Sequence, residues 1–465
     1  MHSIKHFFET MQQSRVAFIG TGVTNGDIIR LFRKKNIDVT LLDRKTPEKL
    51  GKVYEEFQAL ALGVKFCLGD SYLDTLTDYD VVFRSPGMYY HNEKLQEARK
   101  KGVVITSEME AFFALCPCKI YAVTGSDGKT TTTTLISEFL AHAGFRVHKG
   151  GNIGRALLPI IEDIREEDVA VVELSSFQLL SMRQSPDVAV ITNIAPNHLD
   201  VHGTMEEYIY AKTNILAHQD AFSRTILNLD NEPTMNLASM VRGTLTTFSR
   251  RQKPEFGTYL REDGMLCFTK DGVDTPVVQK DDIRIPGMHN VENYLAAINA
   301  VWGTVSVEDI QYVAKNFGGV EHRIEFVREL NGVKWYNDSI ATSPTRVLAG
   351  LRSFQQKLIV IMGGYDKKIP FEPMADTVCQ QVKLVLLMGV TADKIEAAIR
   401  GSQYYKEGAP ELVHVSSMEE AVQEAQKRAK AGDIVTLSPA CASFDLYPNF
   451  EARGIHYKNL VKELH

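Results

Sequence analysis

A short glycine loop near the middle of the chain constrains the fold more than any other feature. Residues 124–131 read TGSDGKTT, and they follow an apolar segment, 119–123, and precede a stretch in which apolar residues recur with the period of a helix. A strand, a glycine loop and a helix in this order predict a phosphate site, because the free N–H groups and the dipole of a helix N-terminus attract anions. Lys129 is then expected to reach terminal phosphates, and Thr130 to hold Mg²⁺.

The spacing of this loop leaves an alternative open. Its pattern, G-x-x-G-K-T, is shorter than the common P-loop, G-x-x-x-x-G-K-[ST]. An ordinary strand-to-helix turn with a solvated lysine would also fit the pattern. The five consecutive threonines, 130–134, argue against a plain turn, because β-branched residues are mediocre helix formers. We therefore favour a phosphate loop.

Length and composition narrow the class of protein. A chain of 465 residues predicts about two to four domains, and three fit the motifs best. The formal net charge of −6 gives no electrostatic footprint for nucleic acid. The sequence has no signal-peptide core and no apolar run near the length of a membrane span, so we expect a cytoplasmic protein without membrane association. A monomer is also expected.

The cysteines do not indicate a metal or disulfide framework. Six of them are scattered along the chain, and the one close pair, Cys116 and Cys118, has no second pair to complete a zinc site. We expect all six to be reduced and structural.

The first 106 residues are predicted to form a Rossmann-like domain. A short apolar strand, 16–19, precedes the turn Gly20-Thr21-Gly22, and a second strand ends in Asp43, where such a fold binds ribose. The third glycine of the fingerprint is replaced by Asn25, so the match is imperfect. The sequence favours a nucleotide-like ligand here, and the alternative is that Asp43 is only a residue of a turn.

The central domain, predicted over residues 107–320, continues the alternation of strand and helix from the phosphate loop. Strand 169–172 leads to Glu173, and strand 188–192 leads to a polar cluster that contains His198. Both positions lie where an open parallel sheet faces its ligand. A lone histidine is more often a hydrogen-bonded cap, but a position beside Glu173 would favour a ligand role. By composition alone, Lys212 is a surface lysine.

The last domain, predicted over residues 321–465, is Rossmann-like as well. It opens with a hairpin around Asn331-Gly332, a pair typical of type I′ turns. Three further strands are predicted at 358–361, 382–387 and 434–437, and polar turns follow the first and the last of them. The whole chain is thus an α/β protein with three domains: a Rossmann-like N-terminal domain, a central P-loop-type ATPase domain with a parallel sheet, and a Rossmann-like C-terminal domain.

Taken together, these motifs resemble the Mur ligases, the ATP-dependent enzymes that form amide bonds in bacterial cell-wall precursors. The resemblance covers nearly the whole chain in order, through segments 124–131, 150–154, 173–178 and 197–200 and through Lys212. Segments 337–342, 437–443 and 449–454 are most similar to the members that add D-glutamate. The resemblance implies that UDP-N-acetylmuramoyl-L-alanine, D-glutamate and ATP are the substrates, with an acyl phosphate as the intermediate.

The resemblance also implies a role for each matching position. Catalytic roles fall on Lys129, Asn152, His198 and Lys212. ATP would be held by Gly125, Ser126, Asp127, Gly128, Lys129, Thr130, Thr131, Asn290, Asn293, Arg323 and Asp338. The UDP-sugar would be held by Val23, Thr24, Asp43, Arg44, Gly87, Asn152 and His198, and D-glutamate by Thr342, Lys367, Ser443 and Phe450. Two Mg²⁺ ions are expected on Thr130, Glu173, His198 and Lys212, the last of which is often carbamylated in this family.

Four positions depart from the family's pattern. Asp127 replaces the usual asparagine, Asn197 stands where some relatives have an acid, and Lys45 replaces an arginine. Most important, Ile340 stands where many relatives have lysine, so the way in which the carboxylates of glutamate are held, and the preference for D- over L-glutamate, stay open. Lys368 is one candidate for the missing cation.

Two other classes of protein remain possible at this stage. A ligase of the folylpolyglutamate type shares the ATP loop and also adds glutamate, but it would not need a first domain with Asp43. A Rossmann dehydrogenase, or a nucleotide-binding regulator, accounts for the first domain but leaves Glu173, His198 and Lys212 without a role. Binding of the UDP-sugar by residues 1–106 would exclude the folate type, and enhanced NADH fluorescence would favour the dehydrogenase.

Overall fold

A computed structural model of the protein describes residues 3–60, 63–196 and 199–465. The chain folds into two compact units, Met1–Lys280 with Glu292–Val313, and Asp281–Val291 with Ala314–His465. The first unit contains two sheets and the second unit contains one. The three sheets lie within the three predicted domain ranges, one in each, and the α/β class with three domains is confirmed. The exact domain boundaries stay predictions.

The first sheet has five parallel strands in the order β3-β2-β1-β4-β5. Its strands are β1 Val16–Ile19, β2 Val39–Asp43, β3 Lys65–Leu68, β4 Val81–Arg84 and β5 Val104–Thr106. The helices of this region are α1 Ile4–Gln13, α2 Val23–Lys34, α3 Pro47–Leu50, α4 Lys52–Ala59 and α5 Glu93–Lys100. The chain turns back between β1 and β4, which is the switch point where such sheets bind ligands. The Rossmann-like prediction is confirmed, although strand β3 was not predicted.

The second sheet has nine strands in the order β14-β13-β12-β11-β10-β9-β6-β8-β7, parallel except for the β12-β13-β14 edge. Its strands are β6 Lys119–Thr124, β7 Val147–Gly151, β8 Val169–Glu173, β9 Val188–Ile191, β10 Arg224–Asn228, β11 Thr244–Ser249, β12 Gly257–Leu260, β13 Met265–Lys270 and β14 Val273–Gln279. The helices are α6 Glu108–Leu115, α7 Lys129–His142, α8 Ser176–Leu179, α9 Leu199–His202, α10 Met205–Ala217, α11 Glu232–Met235, α12 Met288–Val301 and α13 Val307–Asn316.

The core explains why these segments pack as they do. Strand β6 is buried from Ile120 onward, and Leu135, Ile136, Phe139 and Leu140 of α7 are fully buried. The apolar face of the helix packs back on the sheet, as its periodicity predicts. The phosphate loop is therefore held between the carboxyl end of a central strand and a helix N-terminus.

The sheet of the second unit has six strands in the order β15-β16-β20-β17-β18-β19, parallel except for the β15-β16 hairpin. Its strands are β15 Glu325–Leu330, β16 Val333–Asn337, β17 Leu358–Gly363, β18 Val382–Met388, β19 Glu411–His414 and β20 Ile434–Leu437. Its helices are α14 Pro344–Leu351, α15 Glu372–Gln381, α16 Ala392–Arg400, α17 Met418–Arg428 and α18 Phe450–Glu463. Asn331 and Gly332 both have positive φ angles, which confirms the type I′ turn. The sequence analysis missed β19, an edge strand that is only partly buried.

All six cysteines are free thiols, as expected, and Cys116 and Cys118 lie with their sulfur atoms 3.5 Å apart. Within the described ranges, no helix combines the length and the apolar character that a membrane span requires.

Candidate active site

The phosphate loop has a backbone conformation that only glycine permits. Gly125 has a φ angle of +152°, and a Cβ atom there would lie 1.9 Å from Oγ1 of Thr192. Gly128 has a φ angle of +78°, and a Cβ atom there would lie 2.3 Å from Oδ1 of Asn293. Neither glycine tolerates a side chain without movement of its neighbours. The plain-turn alternative for this segment would not require such close packing.

The loop is also tied to the chain that follows strand β9. Oγ1 of Thr192 donates to the carbonyl oxygen of Asp127 at 2.5 Å, and the N–H of Asp127 donates to Oδ1 of Asn193 at 2.9 Å. The N–H of Ser126 donates to the carbonyl oxygen of Asn193 at 2.9 Å. Because strands β6 and β9 are neighbours, the two segments meet at one edge of the sheet. These bonds hold the backbone of the loop in place.

Glu173 lies at the end of β8, directly beside the phosphate loop. Glu173 is buried, with 1% of its surface exposed. Its two carboxylate oxygens accept hydrogen bonds from the hydroxyl of Thr130 and from Nδ2 of Asn152, at 2.7 Å each. Gly151 permits this arrangement, because a Cβ atom there would lie 2.2 Å from the carbonyl oxygen of Glu173. The predicted neighbours Thr130, Asn152 and Glu173 therefore form one cluster. Carboxylate and hydroxyl oxygens are the ligands that Mg²⁺ prefers, so these residues fit that ion.

Lys129 and Lys212 both donate to the phosphate loop. Nζ of Lys129 donates to the carbonyl oxygens of Gly125 and Ser126, at 2.9 and 2.8 Å, and Nζ of Lys212 donates to that of Gly125 at 2.9 Å and to the hydroxyl of Thr124 at 3.3 Å. Lys212 is 1% exposed, so the expectation of a surface lysine from composition is wrong. The reason is tertiary: α10 carries Lys212 over the end of β6, which no local pattern reveals.

The surroundings of Lys212 alter its protonation. Burial, followed by the positive charge of Lys129, lowers the pKa of Lys212 to about 7. The charge of Glu173 opposes this change. At neutral pH, a large fraction of the Lys212 amine is therefore unprotonated and nucleophilic.

His198 and Asn197 lie outside the described residues, so their predicted roles stay predictions. A different histidine, His202, is buried nearby in the fold, and its Nε2 lies 2.9 Å from the hydroxyl of Ser176. Its ring stacks on Phe177 with the ring centres 5.0 Å apart. The sequence analysis gave His202 no role, because a single histidine at the end of a short helix carries no pattern.

In the first sheet, Asp43 holds the glycine turn that follows β1. Its Oδ2 accepts from the N–H and the hydroxyl of Thr21, at 3.2 and 3.3 Å, and its Oδ1 accepts from the N–H of Lys45 at 2.9 Å. Asn25, at the position of the third fingerprint glycine, donates from Nδ2 to the carbonyl oxygens of Ile19 and Gly20 at 2.9 and 3.1 Å. The turn thus differs from the dinucleotide fingerprint, because a buried amide takes the place of the glycine.

The other predicted UDP-sugar positions in this region lie at the start of α2, after β2 and after β4. Thr24 lies in the first turn of α2, while the side chain of Val23 falls outside the described part. Arg44 is exposed and pairs with Asp70 at 3.1 Å. Gly87 lies in the turn after β4. Their roles in binding the UDP-sugar stay predictions.

Arg84 anchors that turn and was not singled out from the sequence. It is buried, and its guanidinium donates to the carbonyl oxygen of Met88 at 2.6 Å, to that of Phe177 at 3.2 Å and to the hydroxyl of Ser181 at 3.1 Å. A buried arginine requires such partners. Its position at the end of an apolar strand was the only signal in the sequence.

The remaining predicted ATP positions divide between the two units. Residues 125–131 and Asn293 belong to the first unit, in which Oδ1 of Asn293 accepts from the hydroxyl of Thr132 at 3.3 Å. Asn290 belongs to the second unit, and its Nδ2 donates to the carbonyl oxygen of Pro286 at 2.6 Å. Arg323 and Asp338, described next, also belong to the second unit.

Arg323 lies in a strained segment. Its neighbours His322 and Ile324 have φ angles of +64° and +44°, and a positive φ is a genuine outlier for β-branched isoleucine. Oδ1 of Asp338 accepts from the N–H of Ile324 at 3.3 Å, and Oδ2 accepts from the hydroxyl of Ser438 at 3.2 Å. Burial raises the pKa of Asp338 to about 7. Such strain is typical of functional sites.

Three loops of the second unit meet around the predicted D-glutamate positions. Nζ of Lys367 donates to the carbonyl oxygen and the hydroxyl of Thr342, at 3.2 Å each. The N–H of Tyr365 donates to the carbonyl oxygen of Ala442 at 2.9 Å, which joins the loop of Lys367 to that of Ser443. Ser443 is buried. Phe450 begins α18, and its carbonyl oxygen accepts from the hydroxyl of Ser339 at 2.8 Å.

Arg453 connects the loop that contains Ser339 to the loop that contains Cys441 and Ala442. It is buried, and it donates to the hydroxyl and the carbonyl oxygen of Ser339 at 3.0 and 2.9 Å and to the carbonyl oxygens of Cys441 and Ala442 at 3.1 Å each. Burial lowers the pKa of Arg453 to about 10. In the sequence, Arg453 belongs to a motif but has no assigned role. In the structure, it holds the loops in place.

Three family models match the chain in sequence order. The MurD-like N-terminal domain of Mur ligases matches residues 14–107, the Mur ligase middle domain matches 123–301, and the glutamate ligase domain of Mur ligases matches 322–441. With these domains and the site described above, the chain belongs to the Mur ligase family.

Relatives that are similar over the whole length narrow this further. The UDP-N-acetylmuramoylalanine–D-glutamate ligase of Clostridium botulinum is 46% identical over 98% of both chains, and that of Acetivibrio thermocellus is 47% identical over 99% of both chains. The family membership excludes the dehydrogenase alternative.

Solved structures show the same fold at low sequence identity. The UDP-N-acetylmuramate–alanine ligase of Thermotoga maritima is 18% identical with a TM-score of 0.58, and the match covers 97% of this chain and 99% of that one. A UDP-N-acetylmuramoyl-L-alanyl-D-glutamate–2,6-diaminopimelate ligase gives a TM-score of 0.54 at 18% identity, with 90% and 86% covered. At this level of identity, these likenesses concern the fold alone.

Proposed function

We propose that this chain is the ATP-dependent ligase that joins D-glutamate to UDP-N-acetylmuramoyl-L-alanine in the synthesis of peptidoglycan precursors, with release of ADP and phosphate. The observation that carries this proposal is a cluster of five side chains at the carboxyl ends of strands β6 and β8 in the second sheet. Its members are Lys129, Thr130, Asn152, Glu173 and Lys212. The names of the full-length relatives support the choice of substrates. The folylpolyglutamate alternative has no comparable support.

The chemistry answers a simple difficulty. A carboxylate is a poor electrophile, so an amine does not attack it at neutral pH. In the proposed reaction, the alanyl carboxylate attacks the γ-phosphate of ATP, which gives an acyl phosphate and ADP. The amine of D-glutamate then attacks the acyl carbon, the C–O bond to phosphate breaks, and the ammonium proton is lost as the amide forms.

The phosphate loop would bind the triphosphate through its N–H groups and Lys129. The ammonium of Lys129 now donates to two loop carbonyls, and a phosphate oxygen is a stronger acceptor for the same donor. Thr130 and Glu173 would hold Mg²⁺, which neutralises charge on the transferring phosphoryl group. Asn152, which Glu173 orients, would steer the substrate carboxylate, together with His198.

Lys212 would be carbamylated and would hold a second Mg²⁺ with His198. The argument is chemical: a neutral amine reacts with CO₂, and the lowered pKa of Lys212 leaves it partly neutral near pH 7. Carbamylation replaces a cation with a carboxylate-like oxygen donor, which suits a hard metal ion. It also removes the repulsion between Lys212 and Lys129.

The other predicted positions complete the proposed binding sites. Asn290, Asn293, Arg323 and Asp338 would hold adenine, ribose and phosphates. The UDP-sugar would lie against Val23, Thr24, Asp43, Arg44 and Gly87. D-glutamate would be held by Thr342, Lys367, Ser443 and Phe450. We also propose that the enzyme is a monomer that works in the cytoplasm, where ATP and UDP-sugars are made.

An ADP-release assay with a panel of amino acids tests this function. The full-length protein is given ATP, Mg²⁺ and UDP-N-acetylmuramoyl-L-alanine, and D-glutamate, L-glutamate, lysine and glycine are added in turn. We expect ADP release with D-glutamate and little release with the other three. Release of ADP with L-glutamate but not with D-glutamate would contradict the proposal, and so would release in the absence of the sugar substrate.

A further inference from the structure

Two cations of the second unit contact the same short loop, residues 340–342, which we call the Thr342 loop. Arg346 lies in the first turn of α14, and its Nη1 donates to the carbonyl oxygen of Ile340 at 3.2 Å. Lys367 donates to the carbonyl oxygen and the hydroxyl of Thr342 at 3.2 Å each. The N–H of Thr342 itself donates to the carbonyl oxygen of Ile340 at 2.8 Å. The two cations therefore bind acceptors that lie side by side.

Among the described residues, no carboxylate forms an ion pair with either of these cations. Neither Arg346 nor Lys367 forms an ion pair within that part of the chain, and both contact neutral oxygens only. The charge of Arg346 opposes the effect of burial on the pKa of Asp338. The two carboxylate oxygens of Asp338, however, accept hydrogen bonds from the N–H of Ile324 and the hydroxyl of Ser438. Burial, followed by the positive charges of Arg346 and Arg453, lowers the pKa of Lys367, as expected where cations lie close to one another.

Repulsion between two cations without an acid between them is relieved when an anion binds. Arg346 and Lys367 are both exposed, so a ligand from solvent can reach both. The planar guanidinium of arginine matches a carboxylate with two parallel N–H groups. Its bond to a neutral carbonyl oxygen is weaker than the bond to a carboxylate that would replace it.

We propose that Arg346 binds one of the two carboxylates of the amino-acid substrate, next to Lys367, and supplies the cation that Ile340 lacks. The proposal rests on the proposed function, in which that substrate is glutamate. It makes Arg346 a substrate-binding residue that neither the motifs nor the family resemblance had singled out.

Lys368, the candidate suggested by the sequence, is less suited to this role. It lines a surface cavity together with the acidic residues Asp366, Glu372 and Asp376 and with Lys394, and its charge acts on the carboxylate of Asp366. Its own N–H donates to Oδ1 of Asp366 at 2.7 Å, in a residue with a φ angle of +58°. In the part of the chain that the structure describes, no hydrogen bond or ion pair joins Lys368 to residues 340–342.

Steady-state kinetics of the full-length enzyme test the proposal. Arg346→Gln removes the charge and Arg346→Lys keeps it, while Arg352→Gln removes an exposed arginine just past the end of the same helix as a control. We expect Arg346→Gln to raise the KM for D-glutamate by about 10- to 100-fold, the effect of losing one charge-assisted hydrogen bond. The KM values for ATP and the sugar substrate should not change. Arg346→Lys should recover part of the loss, and Arg352→Gln should behave as the wild type.

A neutral analogue identifies the carboxylate. If Arg346 binds the side-chain carboxylate, the wild type should prefer D-glutamate to D-glutamine and Arg346→Gln should lose that preference. If Arg346 binds the α-carboxylate, the KM values for D-glutamate and D-glutamine should both be higher in Arg346→Gln than in the wild type. Either outcome supports the proposal.

Three results would count against it, and they can be told apart. An unchanged KM for D-glutamate in Arg346→Gln would overturn the proposal, and so would an equal rise in all three KM values. Failure of the wild type to release ADP with D-glutamate would refute the proposed function itself, before any variant is compared. Thermal unfolding of each variant separates a folding defect from a loss of affinity, and Arg346→Lys still tests the charge if the glutamine variant unfolds.

Discussion

The phosphate loop of the first unit and the Thr342 loop of the second unit each receive two cations, but they are built differently. Lys129 and Lys212 contact a loop whose glycines allow one backbone path, beside the buried carboxylate of Glu173. Arg346 and Lys367 contact a loop with no ion-pairing acid among the described residues.

The comparison teaches how each site depends on its residues. The first site is defined by backbone geometry and by buried partners, so substitutions there should abolish activity. The second site is defined by charge at a partly exposed surface, so substitutions there should change affinity while leaving the chemistry intact.

Loss of the loop ammonium should have the largest effect. In Lys129→Met the side chain keeps its length but cannot bind phosphate, and we expect kcat to fall by about 100- to 1000-fold, as when a preorganised donor is removed. Circular dichroism should show an intact fold. Lys52→Met, at an exposed position, is the matched control. Near-normal turnover in Lys129→Met would remove the loop from the mechanism.

A methyl group in the loop should act almost as strongly. The new Cβ of Gly125→Ala would lie 1.9 Å from Oγ1 of Thr192, so the loop must shift. A displacement of about 1 Å can cost about 100-fold in rate, and we expect a loss of that size in ADP release. Gly26→Ala, in the interior of α2 with room for a methyl group, should be neutral. Full activity in Gly125→Ala would show that backbone geometry does not define the site.

The pH dependence should report on Lys212. Because its pKa is lowered to about 7, the amine is neutral above that pH and protonated below it, with about tenfold less neutral amine for each pH unit further down. If the neutral amine must take up CO₂, activity should fall as the pH drops through about 7. Enzyme depleted of CO₂ at pH near 8 should lose activity and regain it when bicarbonate is added. If CO₂ depletion and the addition of bicarbonate leave the activity unchanged, Lys212 is not carbamylated in the active enzyme.

The smallest effect should be on stability, at Asp338. Burial raises its pKa from 3.8 to about 7, so the protonated carboxyl stabilises the fold fully below about pH 3.8, and this contribution is lost as the pH rises towards 7. Asp338→Asn cannot ionise, so relative to the wild type it should gain stability between pH 5 and pH 8. Urea unfolding at both pH values measures this, with the exposed Asp281→Asn as the control. Parallel pH profiles for Asp338→Asn and the wild type would contradict the assignment.

Local pattern predicted the parts of the molecule that depend on neighbours in the chain. The strand before the loop, the helix from Lys129 and the placement of Glu173 follow from periodicity and from the rule that ligand groups lie at the carboxyl ends of parallel strands. The contact between Thr342 and Lys367 was implied only through the family resemblance.

Features that depend on distant parts of the chain were not predicted. The burial of Lys212 results from the packing of α10 on β6, and the roles of Arg84 and Arg453 result from loops that meet only in three dimensions. Arg346 was missed for the same reason, because a single arginine in a first helical turn carries no signal until the loop beside it is seen. The edge strand β19 has too little apolar surface for its periodicity to show.

Isotope transfer shows whether phosphorylation at the loop that carries Lys129 activates the carboxylate. UDP-N-acetylmuramoyl-L-alanine carrying oxygen-18 in its carboxylate is converted with D-glutamate and ATP, and the released phosphate is analysed by mass spectrometry. The account predicts that one labelled oxygen appears in each phosphate, because the acyl phosphate breaks at the carbonyl carbon. Amide formation with no label in the phosphate would contradict it.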